Sequence, residues 1–303
     1  MSRDSEKVFR EINKYIKENA DENMSMDEMN DLIQEFMEQY NSNLPGEITE
    51  ETAETTDDYL ELAENANSKA QALKFAKKAV QLDQDNLDAK KMVEEITTEH
   101  PYEMVGKYQK LIEYGKTVMD KKGYMNEDSI GDYWGISETR PFIRLYSSYL
   151  DLLVNCGMMR MATTVGEEII RYNTNDNLGI RYILMHVYAY LEDEKSMLAL
   201  YKKYDEHDES QMLLPISIIY YKLGDLEKAA EYLRRLTKTN KDTGRFIRAF
   251  VNDTLDKYAS RMNPMGYQPF TIEEFLVELH EHTYLFEVVP CYFDWAAQVI
   301  KKK

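Results

Sequence analysis

Five histidines occur in the chain, and only His280 and His282, flanking Glu281, are closely spaced. Metal binding is the chemistry that such a pair suggests. On a helix, however, positions i and i+2 point about 200° apart, so both imidazoles reach one ion only if the helix unwinds. A partly exposed pair at a helix end is the simpler expectation. Cys156 and Cys291 lie far apart in apolar surroundings, without metal-like or redox spacing, and are expected to be buried, reduced thiols. No glycine-rich phosphate loop, GxSxG or HExxH stands in the sequence. Paired carboxylates abound, but among 55 acidic residues their presence selects nothing. The chain is therefore expected to have no catalytic residues, no metal and no cofactor.

Recognition chemistry is better represented. Segments 133–146 (YWGISETRPFIRLY) and 173–182 (NTNDNLGIRY) concentrate arginine, asparagine and aromatic side chains. Ser137 is expected to cap a helix that Pro141 enters in its first turn, where a missing amide proton costs little. Asp176 or Asn177 is expected to cap the next helix, near Leu178, and Gly179 to let the backbone approach closely. Trp134, Glu138, Arg140, Arg144, Asn175, Asn177, Arg181 and Tyr182 form the candidate peptide- or protein-binding set. Asparagine and arginine can bond an extended peptide backbone or a terminal carboxylate. The competing expectation is a buried ion-pair and capping network that fixes the angle between helices. The 23 tyrosines and the methionine groups fit adaptable surfaces, but their helical spacing favours core packing.

The elements that must position these residues read as helices throughout. Only 12 Gly and 7 Pro interrupt 303 residues. Val8, Phe9, Ile12, Tyr15 and Ile16 share one helical face; Met29, Leu32, Ile33, Phe36 and Met37 share another, opened by a Ser25–Glu28 capping box. Together they predict an N-terminal hairpin over 1–40. An acidic linker over 41–57 follows, carrying Pro45-Gly46 and expected to be mobile. A repeat then recurs: small Ala72, Ala76 and Ala79 in helical register, with a turn and cap at Asp83–Asn86; Gly224 and Ala229, with Leu226 packing into the turn; Gly157, Met159 and Ala162; and, as a weaker copy, Glu192, Glu194 and Met197. Ala162, Met197 and Ala229 lie 35 and 32 residues apart, bracketing the roughly 34-residue tetratricopeptide period. Pro101–Lys122 reads as one long helix. Residues 260–270 read as a loop, a Thr271–Glu274 capping box as the start of a helix over 272–282, and the segment after Pro290 as a terminal helix. The predicted fold is all-α: a tetratricopeptide-like superhelix over 58–258, with capping helices over 259–303.

Of the formal charge of −18, residues 1–66 carry −14, from 19 acidic and 5 basic side chains. So acidic a chain disfavours phosphate backbones, and no nucleic-acid partner is expected. No apolar run approaches a membrane span, and the charged start does not read as a signal peptide. The expectation is a cytoplasmic protein with no membrane partner.

The two arginine-bearing segments resemble the suppressor-of-tumorigenicity family, most of all its soluble bacterial tetratricopeptide-repeat relatives, over roughly 60–260. Trp134, Glu138, Thr139, Arg140 and Pro141 match, as do Asn175, Asp176, Asn177, Gly179, Ile180 and Arg181; Thr174 replaces the usual Pro and Leu178 the usual Gln. The resemblance implies a helical array and little about activity, since the bacterial members have no agreed biochemical role. The expected function is a non-enzymatic scaffold or adaptor holding a protein or peptide on a concave helical face. Two other readings stay open: a regulator that closes on a small signalling peptide, and an inhibitor acting through its acidic N-terminal arm.

Overall fold

The computed structural model describes residues 8, 11, 12, 15–20, 24–42, 48–262 and 266–301. Phe9, Pro45, Gly46 and Pro264 lie outside them. The described chain is all-α, without a β-strand; Gly131 and Asp132 make isolated bridges to Asn173. None of its helices is long and apolar enough to cross a membrane. The chain divides into two compact units: Met1–Asn126 with Tyr133–Leu145, and residues 127–132 with Tyr146–Lys303.

In the first unit, α1 (Met26–Ser42) opens on reciprocal bonds: Ser25 N–H donates to Glu28 Oε2 at 2.8 Å, and Glu28 N–H to Ser25 Oγ at 3.3 Å. The Phe36 ring lies 5.3 Å from that of Tyr15. A second capping box, Thr55 with Asp58, opens α2 (Thr56–Glu64). Ser68 caps α3 (Lys69–Leu82), and Asn86 caps α4 (Leu87–Thr97) by accepting from Ala89 N–H at 2.9 Å. Ala76 and Ala79 are fully buried and give α2 and α4 room to pack on α3; Ala72 is only half-buried and Leu82 is exposed. α5 (Pro101–Lys121) carries proline in its first turn. At Gly115 it meets the next helix so closely that a Cβ would stand 2.8 Å from Phe142 Cδ2.

That next helix, α6 (Arg140–Asn155), contains the division between the units, after Leu145. Ser137 does not cap it. The chain first makes a 3-10 turn over Ser137–Thr139; Thr139 Oγ1 donates to the Ile136 carbonyl at 2.9 Å, and Ser137 Oγ turns instead to Glu138 Oε2, also at 2.9 Å.

The second unit continues with α7 (Met159–Tyr172), α8 (Ile180–Leu191), α9 (Glu194–Lys203), α10 (Ser210–Lys222), α11 (Leu226–Thr239) and α12 (Thr243–Val251). Neighbours in sequence pack as hairpins, and α8 packs also on α10, which is the stacking expected of a helical repeat. The repeat unit is visible in its turns. Gly157, Glu192 and Gly224 stand at φ 70°, 62° and 81°, the left-handed conformation that ends a helix. Asp193 and Asp225 then cap α9 and α11 by accepting from Ser196 N–H at 3.0 Å and Lys228 N–H at 3.1 Å. Ala162, Met197 and Ala229 follow, all completely buried. Leu226, expected to pack into its turn, is 47% exposed. It opens α11 facing outward, and Ala229 makes the tight contact, its carbonyl accepting from Ser217 Oγ at 2.8 Å. Lys222, at the end of α10, donates to the Ala189 and Tyr190 carbonyls at 2.8 and 2.7 Å and so ties that helix to the end of α8.

Beyond α12 the loop expected over 260–270 is preceded by one short turn, α13 (Asp256–Ala259). Thr271 caps α14 (Ile272–Glu281), but not as a capping box: it accepts from Glu273 N–H at 3.3 Å, while Glu274 reaches Phe270 N–H, Ser210 and Asn240. After α15 (Thr283–Phe286), α16 (Pro290–Lys301) packs on α11 and on α12, on the latter through stacked Phe293 and Phe250 rings, 3.8 Å apart. Cys291, expected buried, is exposed on the outer side of α16, and Cys156 is half-buried.

Candidate functional site

The sequence-named binding residues divide between the units. In the first unit, Arg140 Nε donates to the Trp134 carbonyl at 2.7 Å, and its guanidinium stands 5.5 Å from the Trp134 ring centre. Arg144 forks onto Asp88: Nε donates to Oδ1 at 3.1 Å and Nη2 pairs with Oδ2, which ties α6 to the first turn of α4. Glu138 accepts from Ser137. These are short-range clamps around the start of α6.

In the second unit, the other four residues gather at the start of α8. Asp176, in left-handed conformation at φ 50°, aims both carboxylate oxygens into the helix end. Oδ1 accepts from Ile180 N–H at 2.7 Å and Oδ2 from Arg181 N–H at 3.0 Å, with Arg181 Nη1 at 3.1 Å. Burial raises the Asp176 carboxyl, and the bonds from Arg181 and Ile180 oppose that rise. Gly179 also stands left-handed, at φ 69°. The Arg181 guanidinium lies between the rings of Tyr182 and Tyr204, 4.2 and 5.2 Å from their centres, bonds the Tyr182 hydroxyl and stands 3.6 Å from Glu209. Burial first, and then the hydrogen bond to Glu209, push the Tyr182 phenol upward; burial pushes that of Tyr204 up to about 12. Asn175 and Arg181 line a small cleft of ≈ 280 Å³ with Lys203, Tyr204 and Glu209, where charges of both signs already balance. Asn177 is exposed.

Tyr182 also belongs to a larger opening of ≈ 670 Å³ within the same unit. Its wall is built from Asp151, Val154 and Asn155 at the end of α6, Leu178, Gly179, Tyr182 and Ile183 around the start of α8, Gln211 on α10, Tyr267, and Val277, His280, Glu281 and His282 at the end of α14. Val154, Leu178, Ile183 and Val277 supply apolar wall; the carboxylates of Asp151 and Glu281 line it, and no lysine or arginine does. Gln211 sits four residues before Pro215, which stands inside α10 and cannot donate the amide proton that a Gln211 carbonyl would accept.

His282 was expected to be partly exposed; it is 2% exposed and closes the end of α14. Its ring stacks on His186 at 3.7 Å between centres. His186, fully buried in α8, places Nδ1 2.8 Å from the Tyr182 carbonyl and Nε2 2.9 Å from Glu278 Oε1. A carbonyl only accepts, so Nδ1 carries a proton, and one further proton lies between Nε2 and the Glu278 carboxyl. Burial raises the Glu278 carboxyl and holds the His282 imidazole well below its ordinary value, so His282 is neutral at physiological pH. Two polar atoms here have no hydrogen-bond partner: Glu278 Oε2 and His282 Nε2. Sequence reading missed His186 and Glu278 as a pair because 92 positions separate them. The remaining signal was a single histidine in the apolar run ILMHVYAY. Among the described residues no group of side chains is arranged to hold a metal ion.

No family model matches the chain, and no curated protein matches it. Among solved structures, it resembles YrrB, described as a TPR protein with an unusual peptide-binding site, at 18% identity and a TM-score of 0.36, over 67% of this chain and 90% of that one. A likeness so slight carries no inference about this chain.

Proposed function

We propose that the protein is a non-enzymatic scaffold that binds a peptide or an extended protein segment in the large cleft of its second unit. One observation carries the reading: an open cleft, part apolar, whose wall holds a buried neutral imidazole with an unpartnered nitrogen. A volume of this order suits a ligand gripped by apolar walls and a few placed polar groups. A buried polar atom without a partner is costly and calls for one from outside. A peptide backbone offers an N–H and a C=O at nearly every residue, and so can pair with polar side chains that line the cleft, such as Gln211.

Tyr182 belongs to this site, and Asn175, Asn177 and Arg181 stand on the turn leading into it. Trp134, Glu138, Arg140 and Arg144 are proposed as a separate contact set on the first unit. The acidic hairpin over 1–40 and the linker over 41–57 lie outside the binding site in this reading, and the array over 58–258 with the helices over 259–303 contains it. Kinship with the suppressor-of-tumorigenicity family rests on the two sequence motifs alone. The unpaired Cys156 and Cys291 suit a reducing, cytoplasmic setting.

Ile183→Trp, which fills the cleft from α8, should abolish capture of a degenerate pool of uncharged, end-blocked pentapeptides while the helical circular dichroism stays intact. Capture that survives the filled cleft removes it as the site. Deletion of residues 1–57 should leave capture in place.

A further inference from the structure

We propose that the first unit carries a separate binding site, a small cleft at the α2–α3 hairpin that takes a primary ammonium on an aliphatic stem. The hairpin builds it by spacing. Glu61 and Asn65 stand four positions apart at the end of α2, and Gln71 and Phe75 four apart near the start of α3, so each pair shares a helical face. α2 and α3 pack against each other, and all four residues line one cleft, with Ile48 from the preceding segment. At ≈ 220 Å³ the cleft is smaller than the roughly 300 Å³ at which drug-sized ligands begin to fit, and it suits one side chain or a small amine.

Its preference for a cation has three sources. The wall carries two carboxylates and no lysine or arginine; Glu50 is taken by Lys74, but no cation of the described chain pairs with Glu61. The helix end adds to this. The last turn of α2 has no basic residue, and its cap bond, from Asn65 N–H to the Glu61 carbonyl at 3.0 Å, leaves the negative end of the helix dipole uncompensated. The surrounding field has the same sign, since residues 1–66 carry −14 of the total −18.

The remaining wall distinguishes an amine from a bare ion. Among the described residues no group of side chains is arranged to hold a metal. Ile48, Leu62 and Phe75 line the cleft together with Glu61, and such apolar surface covers a methylene chain while the charged head sits on a polar partner. An ammonium has three N–H donors. The wall offers three side-chain acceptors without a partner in the described chain: the Glu61 carboxylate and the carboxamide oxygens of Asn65 and Gln71.

The test titrates the full chain, at physiological ionic strength, with pentylammonium, acetylated and amidated lysine, 1-pentanol and methylammonium, each read by isothermal calorimetry. Pentylammonium or the blocked lysine should bind about tenfold more tightly than 1-pentanol, which has the stem without the charge, and than methylammonium, which has the charge without the stem. The tighter of the two names the source, a free amine or the lysine of a partner chain. Glu61→Gln should remove the lead. Glu99→Gln, which takes the same charge from an exposed position elsewhere in the unit, should keep it. Both changes preserve side-chain size, so the circular dichroism should match the parent. Equal binding of all four probes, or equal losses in the two variants, overturns the site. A lead for methylammonium overturns the aliphatic stem.

Discussion

Two polar clusters of the second unit, four residues apart along α8 at their nearest, are built on opposite terms. Around Arg181 every charge meets an opposite charge or an aromatic face: Asp176 and Glu209 take the guanidinium, and Tyr182 and Tyr204 flank it. Around His186 the groups are buried more deeply and matched less completely. One proton lies between His186 and Glu278, and Glu278 Oε2 and His282 Nε2 find nothing. The first cluster can be accounted for by stability alone, because a capped helix end with a paired arginine is self-sufficient. The second is incomplete in protein partners alone, because orphaned polar atoms oppose folding unless something else satisfies them. Unmet hydrogen-bonding capacity beside an opening is a better guide to function here than richness in charged residues.

The comparison breaks most visibly at His186. His186→Leu leaves the Glu278 carboxyl buried and unpartnered and should cost about 3–5 kcal/mol in urea unfolding, in line with removal of one member of a buried pair. Equal stability of this variant and the parent would show that the pair does not form. Arg181→Ala should cost less, about 1–3 kcal/mol, since Asp176 keeps its two backbone donors while the ion pairs and ring contacts go.

Proton linkage sharpens the contrast without removing a side chain from the Arg181 cluster. Glu278 is raised above its ordinary 4.5, so above that pH the folded state holds a proton that the unfolded state has released, and stability falls as pH climbs through the window. His282 is lowered below 6.5, so below that pH the unfolded state takes up the extra proton, and stability rises with pH until 6.5 is passed. Relative to the parent, Glu278→Gln should therefore gain stability as pH rises from 4.5, and His282→Phe should lose it as pH approaches 6.5. Thermal unfolding across that range reads both slopes, and parallel curves for either variant contradict its assignment. The smallest effect is expected at Tyr204→Leu, which keeps apolar cover over Arg181 but loses the ring face, at about 0.5–1 kcal/mol in the same unfolding assay.

Much of this arrangement is legible in the sequence. Capping residues act through neighbours three or four positions away, so Ser25–Glu28 and Asn86, with Asp176 at the start of α8, were readable from spacing. Small residues in register marked the tight contacts at Ala162 and Ala229, because close helix approach demands them. The failures have a common cause. Leu226, Ser137 and Cys291 were assigned from type, but the outward direction of a first helical residue, an unforeseen 3-10 turn and the exposed side of α16 decided their environments. The candidate cleft was the least visible part. Its walls come from α6, α8, α10, α14 and the segment at Tyr267, and pairings such as His186 with Glu278 span distances over which local periodicity is silent.

Lys222 offers a way to watch the stack breathe. Its side chain is only 14% exposed, with the ammonium held on the last carbonyls of α8, so an acylating reagent reaches the amine only after α10 has drawn away. Labelling at that one lysine, timed against its exposed counterparts on the same chain, becomes a clock for the parting of neighbouring repeats, and a segment seated beside Gln211 should slow it.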